Sequence, residues 1–214
     1  MVHYHMTSEL PEVIPVFPLP GAMLFPRWEL PLNIFEPRYL NMFDDAMRGE
    51  RIIGMIQSLG GPRERPNLAR VGCAGRITRY SETDDGRYLV TLSGICRFAV
   101  GRELDVTTPY RQVCAGWDEY AADLHAAPET GLPARAELVR ALRTYTTALS
   151  LQADWSAVED APIETLVHAL AAGCPFAPAE KQALLESVTL GERARVLIAL
   201  LEIGGSGDDT GPVQ

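Results

Sequence analysis

Lysine is almost missing from this chain: Lys181 stands alone among 19 basic residues, the rest being arginine. A phosphate-cradling G-x-x-x-x-G-K-[ST] loop therefore has no lysine to use, and no Gly-rich run precedes Lys181. A Ser-Lys peptidase dyad also needs a lysine as base. Lys181 follows "APAE" at the start of an expected helix, a surface setting that does not suit that role. Cysteine is sparse: Cys73, Cys96, Cys114 and Cys174 form no C-x-x-C pair, and no histidine lies at zinc-site spacing from them. Free buried thiols in a reducing compartment are the expectation, with no metal and no cofactor. The H-x-H of His3 and His5 sits at a terminus without a further ligand nearby, and His168 falls inside a helical run, satisfied or at the surface. No run of 18 apolar residues exists, so no spanning helix is expected. Glu9, Pro11 and Glu12 interrupt any apolar stretch near the start, and a cytoplasmic protein without signal peptide is expected.

Basic charge is also in deficit: 19 Lys+Arg against 28 Asp+Glu gives a net charge of −9. Such a balance repels a phosphate backbone and makes nucleic acid a poor default partner. Arg63, Arg65, Arg70, Arg76 and Arg79 cluster in sequence, and a solvated loop is the simpler reading of them.

What is present divides into two halves. Residues 12–118 read as short strands: Val13–Phe17, Leu30–Phe35, Ile52–Gln57, Val71–Tyr80, Tyr88–Leu92, Ile95–Val100 and Arg111–Trp117. Asp85-Gly86 between two of them is a hairpin signal, because a type I′ turn needs positive φ at both central positions. Many short strands with close turns predict a closed or nearly closed barrel. One helix interrupts it, Pro37 to Arg48, with Leu40, Phe43 and Met47 as its apolar face and Gly49 as its stop. Residues 119–132 read as a polar connector. Residues 133–203 read as a helical bundle, with helices over Pro133–Gln152, Pro162–Ala172, Pro178–Ser187 and Thr189–Ile203. Thr189 and Glu192 form a capping box at the start of the last one, Gly204-Gly205 end it, and 204–214 is a disordered tail.

The stretch Phe35, Glu36, Arg38, Tyr39 sets a carboxylate beside a guanidinium among aromatics. As a catalytic pair, Glu36 would serve as general base, yet a nearby arginine lowers the carboxylate pKa, and no companion base or nucleophile is placed by sequence. The structural reading needs only a helix start. Glu36 is favoured there by the helix dipole, Arg38 braces or pairs locally, and Phe35 packs in the core. No catalytic residue is assigned.

Three strings in order resemble one family. "IPVFPLPGAMLFP" with "LPLNIFEPRYLNMFDDAM", then "VGCAGRITRYSETDDGRYLVTLSGICRFAV", then "PFAPAEKQALLESVTLGERARVLIALLE" are similar to the Lon N-terminal, or Lon substrate-binding, domain family. The resemblance runs from about residue 12 to about residue 203. It implies an α+β fold: an N-terminal PUA-like β-barrel with one inserted helix, followed by a C-terminal helical bundle. It implies a stand-alone member lacking the ATPase and peptidase domains, a non-enzymatic module that binds a peptide or unfolded protein segment, with a protease or chaperone as a further partner and no membrane. An RNA-binding PUA-like module is the alternative, by fold analogy alone, and a small-molecule enzyme ranks below both. Phe25 and Trp28, in the Pro-punctuated "LFPRWELP", are the peptide-binding candidates, since loops carry function and Trp is a natural interface anchor. The loop Ser58–Arg70 reads as a solvent-facing flap.

Overall fold

The computed structural model describes residues 4–62, 65–128 and 130–206. His3, Arg63 and residues 207–214 of the expected tail lie outside the described residues. The chain divides into two compact units, Met1–Ala126 and Ala127–Gln214.

Among the described residues the first unit is a six-stranded mixed sheet with one α-helix. Its strands are β1 (Val13–Pro18), β2 (Glu29–Ile34), β3 (Ile52–Ile56), β4 (Val71–Glu82), β5 (Tyr88–Glu103) and β6 (Arg111–Gly116), with α1 (Pro37–Arg48) between β2 and β3. The order β5-β4-β3-β1-β6 returns to β5, so five strands close into a ring, and β2 adds to the side of β5. Among the described residues only β1 and β3 pair in parallel. Parallel neighbours need a crossover, and here β2 and α1 supply it. Ile14, Val16, Ile53, Phe98 and Val113 are fully buried in the core.

Three expectations change here. Tyr88–Leu92 and Ile95–Val100 are one strand, because a register shift near Ala74/Gly75 and Gly94 absorbs an extra residue without a turn. The face of α1 is Tyr39, Met42, Phe43 and Ala46, with Leu40 and Met47 only half-buried. Both sets have helical spacing. The chosen one stacks Tyr39 on Phe17, ring centroids 4.2 Å apart. Tyr88 and Tyr110 then donate to Asp44 and Asp45 at 3.0 and 2.8 Å and hold the other side of the helix. The Asp85-Gly86 turn is not type I′: among the turn residues only Gly86 has positive φ (74°), and its N–H donates to Thr83 at 2.9 Å. Asp85 instead pairs with Arg87 at 2.9 Å.

The start of the expected connector, with Asp118 before it, forms a 3-10 helix, Asp118–Leu124, that buries Tyr120 and Asp123 within the first unit. The Asp123 carboxylate takes both ends of the Arg97 guanidinium, at 2.7 Å from Nε and 2.9 Å from Nη2, and the Arg97 N–H at 3.0 Å. Burial opposes the charge on Arg97, but the Asp123 hydrogen bond and the Asp123 charge together outweigh it, so its pKa lies above the ordinary value.

The second unit contains α2 (Arg135–Ala148), α3 (Trp155–Asp160), α4 (Ile163–Gly173), α5 (Pro178–Glu186) and α6 (Leu190–Gly205). Helix α6 packs on α2, α4 and α5 and buries Leu190, Ala194, Leu197, Ile198 and Leu201. Val196 and Leu200 are half-buried, and Leu149 is exposed just past the end of α2. Gly204 and Gly205 do not stop α6. A Cβ on Gly204 would meet the Tyr145 ring at 2.6 Å, so the glycines let the last turn lie close against α2. Thr189 caps α6, with Glu192 N–H donating to its Oγ1 at 3.1 Å and the Glu192 carboxylate accepting from Thr189 N–H at 3.2 Å. Arg193 is buried, donates to the Leu184 carbonyl at 2.8 Å and meets His168 Nε2 at 2.9 Å. Lys181 is half-buried, correcting the surface expectation, because its ammonium donates to the Ala172 carbonyl at 3.0 Å near the end of α4.

Candidate functional site

The Phe25–Trp28 turn is anchored on β5. Trp28 N–H donates to the Phe25 carbonyl at 3.1 Å, Arg27 N–H to Gly94 at 2.8 Å, and Gly94 N–H back to Trp28 at 2.8 Å. Gly94 is required, since a Cβ there would lie 1.9 Å from the Phe25 oxygen. The turn buries Phe25 completely, at 0 % exposure. Phe25 therefore fills the core and offers no docking surface. Trp28 is half-buried.

Phe35 is the reverse correction. Expected in the core, it is 62 % exposed. Along β2 the even positions Leu30, Leu32 and Ile34 turn inward while Glu29, Pro31 and Asn33 face out. Phe35 continues the outward set. The strand alternation in the sequence already carried this signal. Glu36 and Arg38 sit beside it as a surface pair, 3.0 Å apart. The Glu36 carboxylate makes no bond to the helix N–H groups; its backbone carbonyl takes Tyr39 and Leu40 N–H instead. Arg38 lies over the Tyr39 ring at 4.5 Å. Burial raises the Tyr39 pKa against the opposing pull of Arg38. The pair of Glu36 and Arg38 sits at the start of α1.

Opposite β2 on the same outer face, Leu89 pairs with Asn33 and Thr91 with Pro31. Leu89 is 47 % exposed. An open groove of about 530 Å³ runs here, lined by Pro31, Asn33, Tyr80, Leu89 and Thr91 among others. The Tyr80 and Tyr88 rings meet edge-on at 4.9 Å, and Arg87 stands 6.0 Å from the Phe35 ring. Strand β2 is an edge of the sheet, and Pro31 at its middle has no N–H to offer a further strand. This edge therefore presents side chains more than backbone donors.

A second groove of similar size lies in the helical unit, lined by Leu142, Tyr145, Leu151, Val158, Leu166 and Leu170 among others. Three arginines of the sequence cluster have side-chain partners: Arg65 meets Glu103 at 3.3 Å, Arg76 the Tyr4 hydroxyl at 2.7 Å, and Arg79 stands 4.0 Å from Glu29. Among the described residues no group of three acidic, His or Cys side chains could hold a metal, and no helix is long and apolar enough to cross a membrane.

A strand ring with a flanking edge strand and one inserted helix, followed by a five-helix unit, defines an α+β protein of the Lon N-terminal type. The chain belongs to the ATP-dependent protease La (LON) substrate-binding domain family, whose model matches residues 13–202. It is 26% identical over 203 residues to the Lon protease of Anaeromyxobacter dehalogenans (strain 2CP-C), covering 91% of this chain and 23% of that protein. It is 26% identical over 205 residues to Lon protease 2 of Myxococcus xanthus, covering 91% of this chain and 24% of that protein. The chain thus spans about a quarter of the length of these relatives. In fold it is similar to the N-terminal domain of the Mycobacterium avium complex Lon protease, with TM-score 0.63, 17% identity, and coverage of 92% of this chain and 99% of that one. The crystal structure of a Lon N-terminal domain protein from Xanthomonas campestris aligns with TM-score 0.60, 21% identity, and coverage of 87% and 97%.

Proposed function

We propose that this chain is a non-enzymatic recognition module that holds an extended, apolar-rich polypeptide segment on the outer face of β2 and β5. The observation that carries the reading is the exposed row of Pro31, Leu89 and Phe35 on a domain whose family is described as substrate-binding. Large apolar side chains left open on a folded surface mark interaction sites. Trp28, half-buried in the turn that begins β2, is the second anchor. The partner is a polypeptide displayed to a protease; the face supplies grip and no bond-breaking chemistry.

The test is binding of a fluorescently labelled, permanently unfolded protein to the full chain. Phe35→Ser and Leu89→Ser weaken binding about tenfold together, and Trp28→Ala weakens it further. Leu151→Ser, in the helical groove, leaves it unchanged. Binding that is insensitive to Phe35, Leu89 and Trp28 but lost in Leu151→Ser would move the site to the helical unit. An absence of binding would end the reading.

A further inference from the structure

The first unit holds a cavity of about 360 Å³, away from the Phe35 end of the outer face, walled by Arg27, Arg76, Ser93, Gly94, Ile95 and Leu124 among others. That volume lies within the range of small-molecule sites, roughly 300–1,000 Å³. Apolar side chains and two guanidiniums share the lining. Asp123 and Glu29 also line it, and each has a cation near its carboxylate: Asp123 is bound by Arg97 at 2.7 Å, and Glu29 has Arg79 at 4.0 Å.

Arg27 holds φ at 62°, in the left-handed region. Glycine takes that conformation with less strain. The turn requires the conformation, which Arg27 N–H and Gly94 fix by their hydrogen bond at 2.8 Å. The turn does not require a guanidinium. A residue kept in a strained conformation that a smaller one adopts freely points to work done by its side chain. That side chain donates to the Asp123 carbonyl, which sets it at the cavity wall. Arg76 reaches the same space through Nη1, which now meets two neutral acceptors, the Tyr4 hydroxyl at 2.7 Å and the Glu50 carbonyl at 3.0 Å. A planar guanidinium matches a carboxylate better than either, because the bond is then charge-assisted at both ends.

We infer that this cavity is a carboxylate-binding site, in which Arg27 and Arg76 take the anion and Ile95 and Leu124 receive an apolar group next to it. The carboxylate displaces the Tyr4 hydroxyl from Arg76. This goes beyond polypeptide docking on the outer face and stands separately from it, because it concerns other residues and a ligand of small size.

N-acetyl-leucine and N-acetyl-leucinamide, titrated into the full chain and followed by calorimetry and backbone amide shifts, test it. The acid binds saturably, and the neutral amide binds about tenfold more weakly or worse. Arg27→Gly relieves the backbone strain but loses the bond to the Asp123 carbonyl, so the chain stays folded while acid affinity falls by about tenfold. Arg76→Gln loses affinity as well. Equal binding of acid and amide, acid binding unchanged in both variants, or no saturation by the acid would overturn the proposal. A peptide ending in a free leucine carboxylate, and its amidated form carrying an internal Glu-Leu, then identify the source. Arg27-dependent binding of the first assigns a chain terminus and of the second an acidic side chain. Binding of N-acetyl-leucine alone assigns a free small acid.

Discussion

Arg97 and Asp123, 26 residues apart, form a bidentate ion pair that is almost wholly withdrawn from water, at 3 % and 8 % exposure. Arg97 also stacks over Tyr120 at 4.5 Å, and the Cys96 thiol donates to the Tyr120 carbonyl at 3.3 Å. Two adjacent strand positions thus tie the 3-10 helix Asp118–Leu124 to the ring. Removing one partner leaves the other charged and unpaired in the interior. Arg97→Met or Asp123→Leu is expected to cost about 3–5 kcal/mol in urea unfolding, and the double variant much less than the two costs together. Additive costs would show that the pair is not coupled.

Two glycines separate steric need from conformational need. Gly94→Ala drives a methyl into the Phe25 carbonyl, 1.9 Å from its Cβ position, and is expected to cost about 3 kcal/mol or more. Gly86→Ala meets nothing within 4 Å and carries only the penalty of φ +74°, about 1–2 kcal/mol. Equal losses by thermal unfolding would contradict the close approach at Gly94.

Phe25 and Phe35 should part company in the same assay. Truncating the buried ring in Phe25→Ala costs about 3–5 kcal/mol. Phe35→Ser, on the outer face, changes stability by no more than about 0.5 kcal/mol. A large loss at Phe35 would mean that its ring is covered by something in solution.

Glu103 gives a pH signature. Two hydrogen bonds from Arg111, at 2.7 and 2.8 Å, hold its pKa below the ordinary 4.5, against the opposing effect of burial. A depressed folded-state pKa stabilises above the unfolded value and loses that contribution as pH falls through the folded one. Glu103→Gln is therefore expected to cost about 1 kcal/mol at neutral pH, with the gap to the parent narrowing as pH drops below 4.5. A gap independent of pH would point to packing and not charge.

The last helix tests its own start. Thr189→Ala removes the acceptor for Glu192 N–H and should cost about 1 kcal/mol, with fraying at the first turn seen as faster amide exchange there.

Much of the architecture was readable because it is written locally. Pro37 and the 3.6-residue period announced α1, and Thr189 with Glu192 announced α6. What escaped was decided by partners distant in sequence. Tyr39 displaced Leu40 from the face of α1 because Phe17 stood ready to receive its ring. Asp123 looked like one more polar residue in a connector until the strand bearing Arg97 came beside it. Gly204 and Gly205 read as a helix stop, and the Tyr145 ring turned them into a point of contact. Phe35 is the instructive miss: its outward direction follows from Leu30, Leu32 and Ile34, and size alone argued the other way.

Strand β5 has two careers along its 16 residues. Its opening half, beside β2, shows residues such as Leu89 and Thr91 to the outside, while its closing half joins β6 and completes the ring. Substitutions can redraw the outward positions without disturbing the seam, so relatives with the same skeleton are free to differ there. Variation among them should gather at residues 88–93 on the outward side and thin out beyond Gly94.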